Sequence, residues 1–337
     1  MHARLALLSL LLATACTGDA PAAKPAASSS ARPSAPPVIV AMDRGSFGVL
    51  LYSVGQERKA RLVETISPAL QGGTPDEVSL SAGARPLTCL VWRDSAGVGN
   101  QGSQVWCYPF GGTKGWRVPD TGFPTGSIKL RPDGKALMWV SGLDEMGDQQ
   151  ELVVAALSAG GASGVVRHPL SNVSAHGHKI ACSNELTRIA WVDDTRILIS
   201  CLHEDREGSD VLLQSLSGGA TSVSLDEEPP YTSFEFSSAD ATSALAIQTG
   251  DCRPHCDTTV APSRAVRFDL RTGKVISVIA RALSGRFVQS VSGGPRALLY
   301  VTSDDEDRRV YVKLPGESKG VLVTGFPLGY VGFVAQP

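Results

Sequence analysis

The motif Arg131-Pro132-Asp133-Gly134-Lys135 limits the fold of this chain more tightly than any other stretch. Pro132 presets φ for the first corner of a turn, Asp133 bonds its own backbone, and Gly134 takes a positive φ without a Cβ penalty. Short apolar runs flank the motif, Ser127–Leu130 before it and Ala136–Val140 after it, so the segment reads as a β-hairpin. Weaker echoes recur at a period of roughly fifty residues, which means radial or linear repetition of one supersecondary unit.

Naming the hairpin strands A and B, each unit continues with two more strands, C and D. The third unit runs Gly126–Arg131, Lys135–Ser141, Glu151–Leu157 and Gly164–His168. The second runs Glu77–Ser81, Leu87–Trp92, Gln104–Tyr108 and Gly115–Val118. The fifth is Tyr231–Phe236, Ser243–Gln248, Ala265–Leu270 and Val275–Ile279; the sixth is Gly285–Val291, Arg296–Thr302, Arg309–Leu314 and Gly320–Val323. The fourth admits two readings. Asp193-Asp194-Thr195 is its A–B turn between Leu186–Val192 and Arg196–Cys201, or Ser183–Thr187 is that turn and an extra strand follows.

The ends decide the architecture. Val38–Met42, Val49–Ser53 and Ala60–Glu64 supply B, C and D of a first unit that lacks A, and Leu328–Val334 is an apolar strand without a unit. A last strand that completes the first sheet leaves no open edge. The expectation is therefore an all-β, six-bladed β-propeller of four-stranded antiparallel blades over residues 38–337. The C-terminal strand closes its ring on the N-terminal blade. Both faces of each blade then pack on neighbours, which accounts for runs such as Leu152–Leu157 that do not alternate. With 35 Gly, 21 Pro and no long amphipathic helical pattern after residue 40, the all-β class is the natural one.

Leu130–Ser141 resembles the S-P-D-G-K-x-I-A-F repeat of TolB-like, or WD-like, bacterial propellers, with Arg131 in the place of the Ser. The resemblance implies a six-bladed ring that acts by gripping other proteins rather than by catalysis.

The first residues have another purpose. Arg4 followed by the apolar run Leu5–Leu12 reads as a secretory leader over residues 1–15, too short to span a bilayer. Leu12-Ala13-Thr14-Ala15-Cys16 resembles a bacterial lipobox, in which Cys16 is lipidated and becomes the mature N-terminus. Ala13-Thr14-Ala15 also fits a plain A-x-A cleavage site, and the chain is then secreted without an anchor. Thr17–Pro37, almost entirely Ala, Pro and Ser, reads with Cys16 as an extended tether. Thr17 after the Cys favours the outer membrane, by resemblance to Gram-negative lipoproteins.

Seven Cys less Cys16 leaves six, an even number for an oxidising compartment. Cys89 and Cys107 are equidistant from Val98, so a hairpin around Ser95–Ser103 sets them opposite each other, within disulfide range. Cys252 and Cys256 close a small loop, and Cys182 and Cys201 pair by elimination.

In such a blade the B–C and D–A connections share one end of the ring. The B–C segments Arg93–Ser103, Gly142–Gln150, His203–Asp210, Gly250–Ser263 and Ser303–Arg308 are long, so this end is the expected binding face. It is acidic, through Asp144, Glu145, Asp148, Glu204, Asp205, Asp304, Asp305 and Glu306 among others. Such a rim attracts cationic partners and disfavours nucleic acid, as does a formal net charge of −2. The alternative is that the charges only keep loops solvated.

His176, His178, His203 and His255 fall at the same end, and with Cys252 and Cys256 they are conceivable Zn²⁺ ligands. Their spacing matches no established zinc motif. No cofactor is expected. An α/β-hydrolase site needs a G-x-S-x-G elbow between a strand and a helix, and the one stretch with that spacing, Gly316–Gly320, falls in the C–D turn of the sixth unit; a lactonase-type metal constellation in the channel has Glu235 and Asn184 as its candidates. The leading expectation is an exported, lipid-anchored, monomeric, non-enzymatic propeller for a protein or envelope ligand. A metal-dependent hydrolase is the alternative.

Overall fold

The corner at Pro132 shows how the hairpins are made. In the computed structural model Gly134 has φ +72°, and the Lys135 amide donates to Asp133 Oδ1 at 2.9 Å. The Arg131 amide reaches the Ala136 carbonyl at 2.8 Å, while its guanidinium donates Nε and Nη2 to the two Asp133 oxygens at 2.8 Å each. Two other corners keep the aspartate and dispense with glycine. Asp193 Oδ1 accepts the amides of Thr195 and Arg196, both at 2.9 Å, and Asp240 Oδ1 accepts those of Thr242 and Ser243 at 2.9 and 2.8 Å. A side chain that bonds backbone two residues on fixes the turn without help from a positive φ. Asp193-Asp194-Thr195 is thus the turn of the fourth unit, and the first of its two readings holds.

The structure describes residues 36–337 apart from 44–47, 68–72, 95–102, 113, 120, 143–149, 159, 171–173, 176–177, 180–186, 203–208, 224–230, 251–262, 282–286, 305–306 and 328–331. Blade 1 contains β1 (Val38–Asp43), β2 (Val49–Val54) and β3 (Ala60–Ile66). Blade 2 is β4 (Gly73–Leu80), β5 (Leu87–Asp94), β6 (Gln104–Pro109) and β7 (Trp116–Arg117); blade 3 is β8 (Phe123–Leu130), β9 (Ala136–Gly142), β10 (Gln150–Ser158) and β11 (Gly161–Pro169). A small hairpin that the sequence did not announce follows, β12 (Ser174–Ala175) with β13 (His178–Lys179), so His178 sits in a strand rather than a loop. Blade 4 is β14 (Thr187–Trp191), β15 (Arg196–Leu202), β16 (Ser209–Ser215) and β17 (Ala220–Ser222). Blade 5 is β18 (Tyr231–Ala239), β19 (Ser243–Gly250), β20 (Arg264–Asp269) and β21 (Val275–Arg281); blade 6 is β22 (Phe287–Gly294), β23 (Ala297–Asp304), β24 (Asp307–Lys313) and β25 (Val321–Leu322). The last strand, β26 (Gly332–Ala335), joins blade 1, giving the order β26-β1-β2-β3 and closing a ring of six four-stranded sheets.

The sixth blade corrects one expectation. Ser303–Arg308 is not a long loop: β23 continues through Asp304, β24 begins at Asp307, and those two residues pair across a tight hairpin. The continuous buried run Leu298–Ser303 outweighs the loop-like appearance of four consecutive acids.

Burial explains the ring. All seven residues of β9 are buried, Leu137 and Trp139 against Cys89 and Val105 of blade 2, Ala136, Met138 and Val140 against Ile189 and Ile197 of blade 4. Successive side chains of a strand point to opposite faces, so both faces of the blade need an apolar neighbour. The same parity sends Ile39 and Ala41 of β1 toward blade 2 and Val38, Val40 and Met42 toward blade 6. Each of six apolar clusters joins two adjacent blades.

The seam between blades 6 and 1 is held at both edges. On the inner edge Val40, Ala41, Met42 and Asp43 pair with Ala335, Val334, Phe333 and Gly332. Gln336 extends the pairing, because its amide donates to the Ile39 carbonyl and its Oε1 accepts the Ile39 amide, each at 3.1 Å; its Nε2 donates to the Gly83 carbonyl of blade 2. On the outer edge the Ala60 amide donates to the Thr324 carbonyl at 2.7 Å, and the Thr324 amide donates to that of Arg58 at 3.0 Å. Arg58 is buried, sits in the left-handed region at φ +56°, and ion-pairs with Glu317 of blade 6.

The rim alternates. Outer strands β3, β11 and β21 span 7, 9 and 7 residues, whereas β7, β17 and β25 span 2, 3 and 2. Each long one carries a register shift against its neighbour, the usual device for blunting a free edge. Val63 and Ile276 are among the residues left without partners by such shifts, and they are 44% and 54% exposed.

Cys89 and Cys107 lie directly opposite each other in the β5–β6 register and form a buried disulfide with Cα atoms 4.1 Å apart. Cys201 is also disulfide-bonded; Cys182, its expected partner, lies outside the described residues, as do Cys252 and Cys256. With a sequence separation of 18, the C89A/C107A variant is expected to lose about 3 kcal/mol in denaturant unfolding.

The turn aspartates make a pH prediction. The guanidinium of Arg131 holds Asp133 below the usual carboxylate range. Burial pushes Asp193 up, but hydrogen bonds from Arg196 and Thr195 outweigh it and bring its pKa down to about 2 from 3.8. Asp240 is lowered against burial by Thr242 and Ser243, and Asp269 is lowered by the Thr272 amide and hydroxyl. A pKa lower when folded means fewer protons bound when folded, so this stabilisation is present above the unfolded value and disappears as pH falls. Melting temperature should therefore drop between about pH 4 and pH 2, and D193N should show a shallower drop than the parent.

Candidate functional site

The two ends of the ring differ in how the chain turns. At one end the A–B and C–D corners are tight. At the other, β5 and β6, β9 and β10, β15 and β16, and β19 and β20 are joined by segments 95–103, 143–149, 203–208 and 251–263. Asp144, Glu145, Asp148, Glu204, Asp205, Asp305 and Glu306 lie on the connections of this end, outside the described residues, as do His176, His203, His255 and Asn184. Asp304 is the last residue of β23.

The roots of those connections are polar, and in part buried. Arg264, first residue of β20, donates Nε to Gln248 Oε1 at 2.7 Å, and both side chains are buried. Arg167 ion-pairs with buried Glu151 at the start of β10, and Arg93 pairs with Asp76 at 2.6 Å. Ser263 Oγ accepts the Val288 amide of the next blade at 2.9 Å. These contacts fix where the connections of blades 2, 3 and 5 leave the ring. Glu235, the channel candidate for a metal, instead accepts Arg188 Nε at 3.0 Å across the interface of blades 4 and 5. Among the described residues no three His, Cys, Asp or Glu side chains are grouped to hold a metal ion.

At the tight-turn end the innermost strands are stitched across four of the six junctions between blades. The Leu130 amide donates to Ser79 Oγ at 2.8 Å, Trp191 Nε1 to the Lys129 carbonyl at 3.0 Å, Ser238 Oγ to the Gly293 carbonyl at 2.6 Å, and the Ala335 amide to Ser292 Oγ at 3.0 Å. They surround a cavity of about 60 Å³ lined by residues of β4, β8, β14, β18, β22 and β26.

That topology has solved relatives. TolB from Acinetobacter baumannii superposes with a TM-score of 0.57 at 10% identity, over 90% of this chain and 67% of that one. The structure called putative TolB from Agrobacterium tumefaciens gives 0.51 at 12% identity, over 86% of this chain and 89% of that one. The fold is that of a TolB-like propeller. The β-propeller domain of the Trilobed protease from Pyrococcus furiosus gives 0.50 at 10% identity, over 86% and 85%; it is described as having an open velcro topology, whereas here β26 closes the ring on β1. No protein-family model and no curated protein matches the sequence.

The stitching of this TolB-like ring was not anticipated from the sequence. Its signal is faint: a small polar residue near the end of strand A, in Val78-Ser79-Leu80, Ser237-Ser238-Ala239 and Val291-Ser292-Gly293. At the other end, Q248A leaves the buried Arg264 without that acceptor. A loss of about 2 kcal/mol in chemical denaturation is expected, more than for Q214A on the partly exposed β16.

Proposed function

We propose that this chain is a non-enzymatic binding propeller, exported and anchored through lipidated Cys16, with residues 17–37 as tether and 38–337 as the ring. It grips a protein or cell-envelope ligand at its long-connection end. The observation that carries the reading is the contrast between the two ends. Strand pairs with hydrogen-bonded, partly buried roots carry the longer connections at one end, and the sequence there is rich in Asp and Glu. A rigid ring with variable connections is the usual arrangement for recognition, and acidic connections suit a cationic partner surface. The TolB-like fold supports the same reading at the level of architecture. Cys89–Cys107 fits the oxidising compartment that export implies. The ring acts as a monomer and takes no nucleic acid.

The test is capture of partners from envelope extract by the full chain. D144N/E145Q/D148N combined with E204Q/D205N should weaken the captured complex by about tenfold and flatten its salt dependence. Equal capture by parent and variant overturns the acidic face. For the anchor, C16S should move the chain from the membrane fraction to the soluble one and abolish incorporation of labelled fatty acid. A parent found in the soluble fraction, with no fatty acid incorporated, means cleavage after Ala15 and a secreted protein, and a C16S chain still in the membrane fraction overturns the lipid anchor.

A further inference from the structure

The acidic side chains at the tight-turn corners are already in use. Glu57 pairs with Arg61, Asp133 with Arg131, Asp193 with Arg196, Asp240 with Arg267 and Glu317 with Arg58. Asp194 approaches Arg131 at 3.5 Å, and Asp269 accepts the amides of Arg271 and Thr272. Cations are left over on the same corners. Lys59, Lys114, Lys135, Arg271 and Lys319 are exposed, and none of them has a salt bridge among the described residues. They occupy the turns β2–β3, β6–β7, β8–β9, β20–β21 and β24–β25, so blades 1, 2, 3, 5 and 6 each present one. Arg85, on the turn between β4 and β5, is exposed as well, with its guanidinium 6.0 Å from the centre of the Phe110 ring. The ring is therefore polar in charge, cationic on its tight corners and rich in Asp and Glu at the other end. A second observation concerns where the chain enters. Val38 opens β1 opposite Val54, the last residue of β2, so entry is at the tight-turn end, and Pro36 and Pro37 before it are exposed.

We propose that the tight-turn end docks on the surface of a bilayer that contains anionic phospholipid, with Lys59, Lys114, Lys135, Arg271 and Lys319 over the headgroups. The inference deepens the anchored reading above and rests on it only for bringing the ring to a membrane. Each Lys or Arg close to an anionic surface adds to the attraction, and the contributions accumulate when the cations share one end. A tether that joins the ring at that same end raises the effective concentration of headgroups there. The acidic end is repelled by the same surface, which turns the long connections outward, toward a partner. The spacing of the cations selects the occupant. They stand on separate blades with acids such as Asp133 and Asp194 between them, which suits headgroups that move laterally better than the fixed phosphate ladder of a nucleic acid. Lysine, a point charge with three donors, needs no fixed partner geometry.

The full chain carrying C16S, which has no lipid, is sedimented with vesicles of phosphatidylcholine alone and with vesicles of equal parts phosphatidylcholine and phosphatidylglycerol. Binding to the anionic vesicles should be about tenfold tighter or more, and should fall as salt rises. K114Q/K135Q should weaken it about tenfold. R117Q/R281Q removes the same charge from exposed residues that end β7 and β21, at the long-connection end, and should stay within about twofold of the parent. Equal binding to the two kinds of vesicle, or equal losses in the two variants, overturns the docking face. Tighter binding to a double-stranded oligonucleotide than to anionic vesicles at the same phosphate concentration overturns the lipid assignment. Failure of the anchor reads out separately, as the absence of fatty acid from the chain with Cys16 intact.

Discussion

A sheet that is apolar on both faces cannot stand at the end of a row. That constraint governs this molecule. β9 buries every residue, with odd and even positions packing on different blades, and β1 divides its side chains in the same way. Stacking such blades in a line would leave two faces in water at about 25 cal/mol per Å² of apolar surface. Closing the line into a circle removes both, and the six clusters between successive blades are the result. Disulfide, turn aspartates and polar roots refine a ring that this burial already demands.

Closure also separates the tasks of the two ends. Tight corners held by Asp133, Asp193 and Asp240 bring the inner strands together, where Ser79, Ser238 and Ser292 stitch blade to blade. The opposite end spends its chain on longer connections rooted in buried contacts such as Gln248 with Arg264. Change in those connections leaves the ring intact, because the apolar parity of the strands does not involve them. On the circumference, long outer strands on alternate blades are blunted by register shifts, and the exposed Val63 and Ile276 are the local cost of that protection.

Much of this was legible because the hairpin is a local event. Pro132-Asp133-Gly134 specifies its own corner, the missing first strand and the orphan last one imply closure, and Cys89 with Cys107 follow from hairpin symmetry. The fourth unit stayed ambiguous because two polar segments, Ser183–Thr187 and Asp193–Thr195, both look like turns; only the hydrogen bonds of Asp193 separate them. The acids at Asp304–Asp307 imitated a loop, since their charge density hides the pairing of the strands on either side when a sequence is read in short windows. The cavity at the tight-turn end was invisible for a different reason. Ser79, Lys129, Trp191, Ser237 and Ser292 come from separate units, and nothing local to any of them foretells their convergence. Register shifts such as that at Val63 are likewise set by the neighbouring strand.

A circle made from a linear chain has one join that the chain does not cross covalently, and that join is where breathing would be expected to start. Here it is fastened at the hub by β26 and Gln336 and again at the periphery by Thr324, Arg58 and Glu317. The two fastenings sit at opposite edges of the same blade, so neither acts as a hinge for releasing the other. The ring therefore has no preassigned door, and a change of partner is accommodated by sequence change in the connections rather than in the blades.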